Sequence, residues 1–293
     1  MSEFHGVLPA LITPFTEDGG AVDAVALAEN VERLVAAGVG GLVPGGSTGE
    51  FTTLSSAERR QVTEVTIEAA GGRVPVVPGT GALSTRETVE LSVHAERAGA
   101  AAVMVVPPFY DAPRWPELLA HYDAVADAIS IPIVYYNLPG ATGVELTAEQ
   151  LRELPISALK DTGGDAVAAT ELIQTDGPTL LNGYDTLTFA ALAAGVEAVV
   201  WGAASILPEQ CVELHRLLID DIDLPAAREL WARLWPLCRF LEGESYSAAV
   251  KTACRLVGDT TGPVRAPLLE LDDAATDELR TLLDHAGLAE VAR

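Results

Sequence analysis

Short apolar runs alternate along the chain with longer stretches in which apolar residues recur at every third or fourth position. The short runs are typical of strands buried on both faces of a parallel sheet, and the longer pattern is typical of amphipathic helices. The strand candidates are residues 7–13, 41–45, 74–79, 101–107, 131–137, 156–161, 179–182 and 197–202. Eight strand-helix units in succession predict an α/β fold of the (β/α)8 TIM barrel type, with a doubly wound open sheet as the alternative.

Polar residues and glycines mark the expected helix boundaries. Three pairs have the spacing of a capping box, in which two side chains bond the first free backbone N–H groups of a helix. These pairs are Ser55 with Glu58, Ser84 with Glu87, and Thr147 with Gln150. Gly38, Gly71 and Gly99 stand where helices should end before the next strand.

The strand signals stop after Leu218, and only helical patterns follow. These patterns cover residues 226–241, 247–256 and 275–285. We therefore predict two parts: a (β/α)8 catalytic barrel over residues 1–222 and a C-terminal helical extension over residues 223–293.

The composition is that of a packed globular protein, since 49% of the residues are hydrophobic. The formal charge of −24 and the pI near 4.4 disfavour nucleic acid and anionic membrane surfaces as partners. No apolar run is long enough to cross a bilayer, and the N-terminal segment lacks the features of a signal peptide. The three widely spaced cysteines indicate buried thiols in a reducing compartment, so a cytoplasmic location is expected.

Lysine is almost absent: Lys160 and Lys251 are the only two, and the other sixteen basic residues are arginine. Lys160 lies next to last in the strand candidate 156–161. A lysine held in a dry site can lose its proton and attack a carbonyl to form a Schiff base, which arginine cannot do. Taken alone, Lys160 is more simply interpreted as a surface residue that ends a strand. Lys251 lies in a helical pattern and is interpreted as structural.

The residues at the predicted strand ends bear on this choice, because the chemistry of a barrel lies where its strands end. Four of the six tyrosines cluster at three of these ends. They are Tyr110, Tyr135, Tyr136 and Tyr184. Phenols and hydroxyls near an amine can carry the proton transfers that a Schiff base requires, which favours a catalytic Lys160. The second strand candidate ends in the turn G-S-T-G-E at residues 46–50, which combines exposed backbone amides with two hydroxyls.

The sequence offers little support for a metal or a dissociable cofactor. Its five histidines are scattered and have neither H-x-H nor H-E-x-x-H spacing. No G-x-G-x-x-G follows a predicted strand, as a dinucleotide site would require. We therefore expect no catalytic metal and no cofactor.

Together these residues resemble the dihydrodipicolinate synthase and N-acetylneuraminate lyase family of pyruvate-dependent class I aldolases. The resemblance runs from V-L-P-A-L-I-T-P-F at residues 7–15 to G-P-V-R-A-P-L at residues 262–268, which is nearly the whole chain. Its most specific elements are G-S-T-G-E at residues 46–50, Y-N-x-P at residues 136–139 and the lysine of the sixth strand candidate.

The resemblance implies three catalytic roles. Lys160 corresponds to the lysine that forms the Schiff base with pyruvate. Tyr136 corresponds to the tyrosine that transfers protons above that lysine, and Ser47 to the hydroxyl that relays them.

The resemblance also implies binding residues and an assembly. Thr48, with the amides of the turn at Gly46, corresponds to the group that holds the pyruvate carboxylate. Gly183 and Ala203 fall near loops that line the same pocket. Tyr110 matches a tyrosine that reaches into a neighbouring subunit's site, which implies a homodimer or a homotetramer.

One position departs from the lysine-pathway synthases of this family. Those enzymes carry an arginine in Y-N-x-P-x-R-T that grips the carboxylate of the aldehyde substrate, and this chain has Ala141 in that place. Each charged hydrogen bond of such a clamp contributes roughly 1.5–3 kcal/mol. The segment K-D-T-G-G-D at residues 160–165 is also closer to the K-D-x-x-G-D of sugar-acid aldolases and dehydratases.

We therefore expect a class I aldolase or lyase that binds pyruvate or a related 2-oxo acid through Lys160 and makes or breaks the adjacent carbon–carbon bond. Three alternatives stay open. They are 4-hydroxy-tetrahydrodipicolinate synthesis itself, dehydration of a deoxy-sugar acid through the same imine, and a non-catalytic protein that binds a 2-oxo acid. A phosphate-handling enzyme has support only from glycines at the ends of the last two strand candidates.

Overall fold

The computed structural model describes residues 4–174 and 176–287, which form an α/β fold around a parallel sheet. The strands are β1 (Gly6–Pro9), β2 (Val103–Val105), β3 (Ile133–Asn137), β4 (Ala158–Asp161), β5 (Thr179–Asn182) and β6 (Ala198–Trp201). All neighbouring pairs are parallel, and the order across the sheet is β1-β6-β5-β4-β3-β2. Strands β2 to β6 each lie inside a predicted range, and β1 begins one residue before its predicted range of 7–13.

Helices follow the strands and then continue alone to the C-terminal end of the described chain. They are α1 (Ala24–Ala36), α2 (Ser56–Ala70), α3 (Thr85–Ala98), α4 (Trp115–Ala126), α5 (Pro139–Thr142), α6 (Ala148–Glu153), α7 (Ala166–Ile173), α8 (Thr188–Ala193), α9 (Pro208–Ile219), α10 (Leu224–Gly243), α11 (Tyr246–Leu256) and α12 (Asp273–His285). Short 3₁₀ turns cover Phe51–Thr53, Asp185–Leu187 and Ala203–Ser205. The three helices predicted after residue 218 correspond to α10, α11 and α12.

The second and third strand candidates, residues 41–45 and 74–79, are extended segments with isolated bridges rather than strands. Parallel bridges join Ala10 to Val43, Leu42 to Val76 and Gly79 to Met104. Prolines explain the difference: Pro44, Pro75 and Pro78 have no N–H to donate, so consecutive ladder hydrogen bonds cannot form. The bridges nevertheless continue the parallel order from β1 through both segments to β2.

The predicted helix boundaries hold where side-chain caps form. Ser55 and Thr147 each close a reciprocal capping box at the start of α2 and α6. Ser84 caps α3 by accepting from the backbone N–H of Glu87, without the reciprocal bond. Gly71 and Gly99 take left-handed conformations directly after α2 and α3, a region that favours residues without a Cβ atom.

Alternate residues of the strands face a common interior. Val134 and Tyr136 of β3, Ala158 of β4 and Val200 of β6 belong to one buried cluster, together with Val43 from the second bridged segment. Because side chains alternate along a strand, Lys160 shares the face of Ala158 and points toward the same interior.

Residues of the opposite strand faces pack against the surrounding helices. Ile133 and Tyr135, for example, lie in a cluster with side chains of α4. A separate cluster joins α9, α10, α11 and α12 to Val199 and Trp201 of β6. The C-terminal helices are thus packed directly on the sheet, beside the ends of β1 and β6. None of the helices in the described ranges combines the length and apolarity of a membrane span.

Candidate active site

Lys160 lies near the carboxyl end of β4, between Tyr136 of β3 and Leu181 of β5 in the register of the sheet. Only 5% of its surface is exposed, although most lysines are solvated. Its Nζ atom lies 4.1 Å from the centroid of the Tyr136 ring, where the electron-rich face attracts an amine or an ammonium group. The strand therefore places one buried amine inside the sheet, against one phenol.

A hydroxyl group continues this arrangement toward the turn at residues 46–50. The Ser47 Oγ and Tyr136 Oη atoms are 3.5 Å apart, which is the outer limit of a hydrogen bond. Thr48, the next residue, is buried, and its neighbour Gly49 accepts a hydrogen bond from Thr13. An amine, a phenol and a hydroxyl thus form a chain from β4 through β3 to this turn.

Gly183 follows β5 and lies directly against Lys160. A Cβ atom on Gly183 would lie 2.6 Å from Cε of Lys160 and 2.7 Å from Cγ2 of Thr162, both closer than real contacts allow. The absence of a side chain at this position therefore makes room for the lysine.

Gly183→Ala is expected to lower turnover by about 100-fold, because the added methyl group displaces the amine by roughly 1 Å from the Tyr136 ring. Steady-state kinetics would measure this loss. Gly140→Ala is the matched control, since a Cβ atom there meets nothing within 4 Å. Equal turnover in both variants would show that the contact with Gly183 does not position Lys160.

Asp185 is a buried carboxyl group in the loop that follows Gly183. Tyr246 of α11 donates its hydroxyl hydrogen to this carboxylate, with both oxygens 2.9 Å away, and the backbone N–H of Ala203 also bonds it. Burial raises the pKa of Asp185 to about 7, although the Tyr246 hydrogen bond and the charge of Lys160 act in the opposite direction. The nearby carboxylate of Glu242 raises it further.

The raised pKa of Asp185 makes the stability of the protein depend on pH. The folded state holds a proton that the unfolded aspartate, with a pKa of 3.8, releases. This contribution to stability is complete below about pH 4 and is lost as the pH rises to about 7. Asp185→Asn removes it, so wild type should lose stability relative to the variant by up to about 1.4 kcal/mol per pH unit across this window.

Denaturant midpoints of wild type and Asp185→Asn, measured from pH 4 to pH 8, would test this expectation. The difference between the two proteins should grow with pH up to about pH 7 and then level off. Parallel curves would mean that Asp185 titrates at its ordinary pKa.

Glu50 ends the turn that carries Ser47 and makes a buried ion pair with Lys251 of α11. The Lys251 Nζ atom is 2.6 Å from Glu50 Oε1, and both side chains are fully buried. The backbone N–H of Arg265 bonds the other carboxylate oxygen at 2.8 Å. Burial lowers the pKa of Lys251, while the charge of Glu50 raises it. Lys251 of α11 therefore stabilises the turn beside the site through Glu50, in keeping with its interpretation as structural from the sequence.

A cavity of about 230 Å³ adjoins the hydroxyl of Ser47. Its lining is mostly apolar, with three hydroxyls and the ion-paired Glu50. The lining residues are Ser47, Glu50, Phe51, Thr52, Val106, Phe109, Leu138, Ala141, Ser247 and Leu268. No lysine, arginine or histidine is among these described residues. Ala141 and Ser47 thus line the same cavity.

The remaining predicted site residues are distributed as follows. Gly46 lines a smaller cavity that Tyr136 also borders. Ala203 is buried after β6 and contacts the site through Asp185. Tyr110 is 87% exposed and is not brought to the Lys160 amine of its own chain.

Several residues beside the site were missed by sequence reasoning. Asp185, Tyr246, Ser247 and Glu50 received no role, and all four make hydrogen bonds to residues 61 to 201 positions away in the chain. The buried Glu50 offered one signal, since it follows the turn of Ser47 directly. No cluster of three or more metal-binding side chains occurs among residues 4–174 and 176–287.

Comparison with known proteins finds one family over most of the chain. The model of the Dihydrodipicolinate synthetase family matches residues 3–286. A 4-hydroxy-tetrahydrodipicolinate synthase of Methanopyrus kandleri is 41% identical over 293 residues, covering 98% of this chain and 97% of its own.

Solved structures give the same result. A crystal structure of a dihydrodipicolinate synthase superposes with a TM-score of 0.92 at 37% identity, covering 97% of this chain and all of its own. A prophage protein of E. coli K12 from the dihydrodipicolinic acid synthase family, crystallised with pyruvate, has a TM-score of 0.92 and 31% identity. The match covers 98% of this chain and 100% of that one.

Proposed function

Because the chain belongs to the dihydrodipicolinate synthetase family, we propose that it forms a Schiff base between Lys160 and pyruvate or a related 2-oxo acid. The family consists of class I aldolases, so the chain is an enzyme of the lyase type. The observation that supports the site most strongly is the buried Lys160 amine 4.1 Å from the Tyr136 ring. Pyruvate as the ligand has support from the pyruvate complex of the related E. coli protein.

The proposed reaction begins when the Lys160 amine attacks the C2 carbonyl of the 2-oxo acid and water leaves. The protonated imine then withdraws electrons from C3, so that loss of a C3 proton gives an enamine. In the synthetic direction the enamine carbon attacks an aldehyde, the aldehyde oxygen takes a proton, and hydrolysis of the new imine frees the lysine. Cleavage is the reverse of these steps.

Tyr136 and Ser47 are the proposed path for the protons. The phenol lies against the amine, and its oxygen is 3.5 Å from Ser47 Oγ. Proton transfer by a positioned group contributes about 10²–10⁴-fold to rate, which makes a phenol at this position useful in both directions. Thr48 and the amides of the turn at Gly46 are the proposed contacts of the carboxylate of the 2-oxo acid. Gly183 provides the space that the lysine needs.

Borohydride reduction in the presence of pyruvate tests the Schiff base directly. We expect a stable pyruvyl adduct, which peptide mass mapping should locate at Lys160 and which Lys160→Ala should lack. The adduct can be assigned to one lysine because Lys251, the only other lysine, is ion-paired and fully buried. Failure with pyruvate and also with larger 2-oxo acids would reject the imine mechanism and leave a non-catalytic binding protein.

The acceptor is proposed to be an aldehyde without a carboxylate near the reacting carbon. The described lining of the 230 Å³ cavity has hydroxyls but no cationic side chain, and Ala141 stands where related synthases carry arginine. The second candidate is 4-hydroxy-tetrahydrodipicolinate synthesis itself, which the names of the curated relatives favour. Product analysis with candidate sugar acids separates cleavage, which releases pyruvate, from dehydration, which leaves a larger 2-oxo acid.

Ala141→Arg is expected to lower KM for a carboxylate-bearing aldehyde by roughly tenfold or more, because a guanidinium group adds a charge-assisted hydrogen bond to the cavity wall. Steady-state kinetics with a carboxylate-bearing aldehyde and with a neutral aldehyde would measure the change. Ala141→Gln controls for side-chain size. An equal change for both aldehydes would contradict this role for position 141.

Membership of the family also supports a finer architecture. We propose that the bridged segments close the sheet into a (β/α)8 barrel over residues 1–222, with residues 223–293 as a helical extension.

We also propose a cytoplasmic homodimer or homotetramer in which Tyr110, 87% exposed in the single chain, enters a partner's site. Light scattering on the purified protein, with Tyr110→Ala assayed for activity, would test the assembly; a fully active monomer would reject it.

A further inference from the structure

Two consecutive residues at the start of α11 bond to two different loops of the candidate active site. The Tyr246 hydroxyl donates to the carboxylate of Asp185 at 2.9 Å. The Ser247 hydroxyl donates to the backbone carbonyl oxygen of Ser47, also at 2.9 Å. One helical turn therefore connects the loop after β5 to the turn at residues 46–50.

Both loops carry groups that the proposed chemistry uses. The loop after β5 contains Gly183, whose backbone lies against the side chain of Lys160. The other turn contains Ser47, whose Oγ atom is 3.5 Å from Tyr136 Oη. At this distance a small shift of the Ser47 peptide is enough to break the hydrogen bond.

The fit of Tyr246 into this position is tight. A Cβ atom on Gly202 would lie 2.0 Å from the Tyr246 hydroxyl oxygen, so the phenol reaches Asp185 only by passing over a residue without a side chain. The glycine that follows β6 thus leaves the space that the Tyr246 side chain of α11 occupies.

The same helix makes a second contact with this turn, one helical turn further along. Lys251 bonds Glu50 at the far end of the turn that begins at Gly46, and Glu50 itself has a left-handed backbone with φ of 56°. Left-handed backbone is costly for a residue with a side chain and persists when the surroundings hold it. The turn is therefore held by α11 at Ser47 and again at Glu50.

We propose that Ser247 and Tyr246 are positioning residues, which hold the Ser47 hydroxyl and the loop beside Lys160 at the distances that proton transfer requires. This inference rests on the proposed function. Neither residue is the base or the nucleophile. In this proposal α11 positions groups of the active site, in addition to packing on the sheet.

Two measurements separate positioning from binding and from stability. Borohydride trapping with pyruvate reports imine formation at Lys160, and NMR in D₂O reports the exchange of the pyruvate methyl protons, which needs proton transfer at C3. Ser247→Ala is expected to keep full trapping at saturating pyruvate and to slow the exchange by about tenfold or more. Tyr246→Phe should slow the exchange in the same way, since it loses the bond to Asp185.

Matched variants complete the design. Ser247→Thr keeps the hydroxyl and should restore the exchange rate. Ser245→Ala removes an exposed serine from the same end of α11, where it makes no capping hydrogen bond, and should match wild type in both assays.

Three results would overturn the inference. One is a rate of methyl-proton exchange equal to that of wild type in both Ser247→Ala and Tyr246→Phe. Another is a parallel fall of trapping, exchange and thermal midpoint in these variants, which would indicate a structural role only. Absence of an adduct in wild type would reject the proposed function itself, and this inference with it, so the two failures are distinguishable.

Discussion

Lys160→Arg is expected to reduce turnover by on the order of 10⁴-fold or more, the scale on which loss of a covalent catalytic group acts. Arginine retains a positive charge and a long aliphatic stem at a position that is only 5% exposed. It does not deprotonate at any useful pH, so it cannot attack a carbonyl. The variant therefore removes nucleophilic chemistry while it keeps charge near the Tyr136 ring.

Steady-state kinetics and borohydride trapping would measure the effect. Tyr136→Phe serves as a comparison in which only part of the chemistry is lost. Tyr136→Phe should retain a trappable imine and lose about 10²–10⁴-fold in turnover, because only proton transfer is affected. Circular dichroism should show that both variants are folded. Turnover by Lys160→Arg within tenfold of wild type would exclude an imine at this residue.

Lys251→Met should lower the free energy of unfolding by about 3–5 kcal/mol, because it leaves the Glu50 carboxylate buried without its cation. The loss includes more than one contact. The ammonium group is 2.6 Å from Glu50 Oε1 and lies 3.9 Å from the Phe15 ring centroid. Arg265 stacks on the same ring at 4.0 Å but bonds Glu50 only through its backbone N–H.

Chemical denaturation monitored by fluorescence would measure this change. The double variant Glu50→Gln/Lys251→Met should recover part of the loss, since it no longer buries an unpaired charge. Arg86→Met is the surface control, because its ion pair with Glu90 is largely exposed and should contribute less than about 1 kcal/mol. A Lys251→Met midpoint equal to that of Arg86→Met would mean that water reaches Glu50 and replaces the lysine.

The sequence predicted the strands of the sheet well because they are continuous apolar runs with clear boundaries. Residues 41–45 and 74–79 were expected to be strands for the same reason, but prolines remove the N–H groups that a ladder needs. A hydrophobic pattern reports burial, and these segments are indeed buried at Val43 and Val77. It does not report whether the backbone donors required for pairing are present.

The candidate site likewise contains residues that the sequence indicated and residues that it did not. Lys160 stood out from the sequence because lysine is rare in this chain, and Tyr136 because tyrosines cluster near the predicted strand ends. Each lies next to last in its strand. Asp185 and Tyr246 could not be paired in advance, because a helix 61 positions away supplies the hydroxyl. The pairing depends on how α11 packs on the sheet and on the space above Gly202, and neither follows from local periodicity.

The near absence of lysine has a further consequence for a member of a class I aldolase family. Reactive carbonyl compounds modify surface amines on most proteins, which consumes substrate and slowly damages the catalyst. Here Lys160 is only 5% exposed and Lys251 is buried in its ion pair with Glu50, while the surface ion pairs of the described residues are made by arginines and one histidine. Aside from the terminal amino group, an aldehyde in solution meets no exposed lysine amine on this chain, and the amine proposed to form the imine is one of the two buried ones.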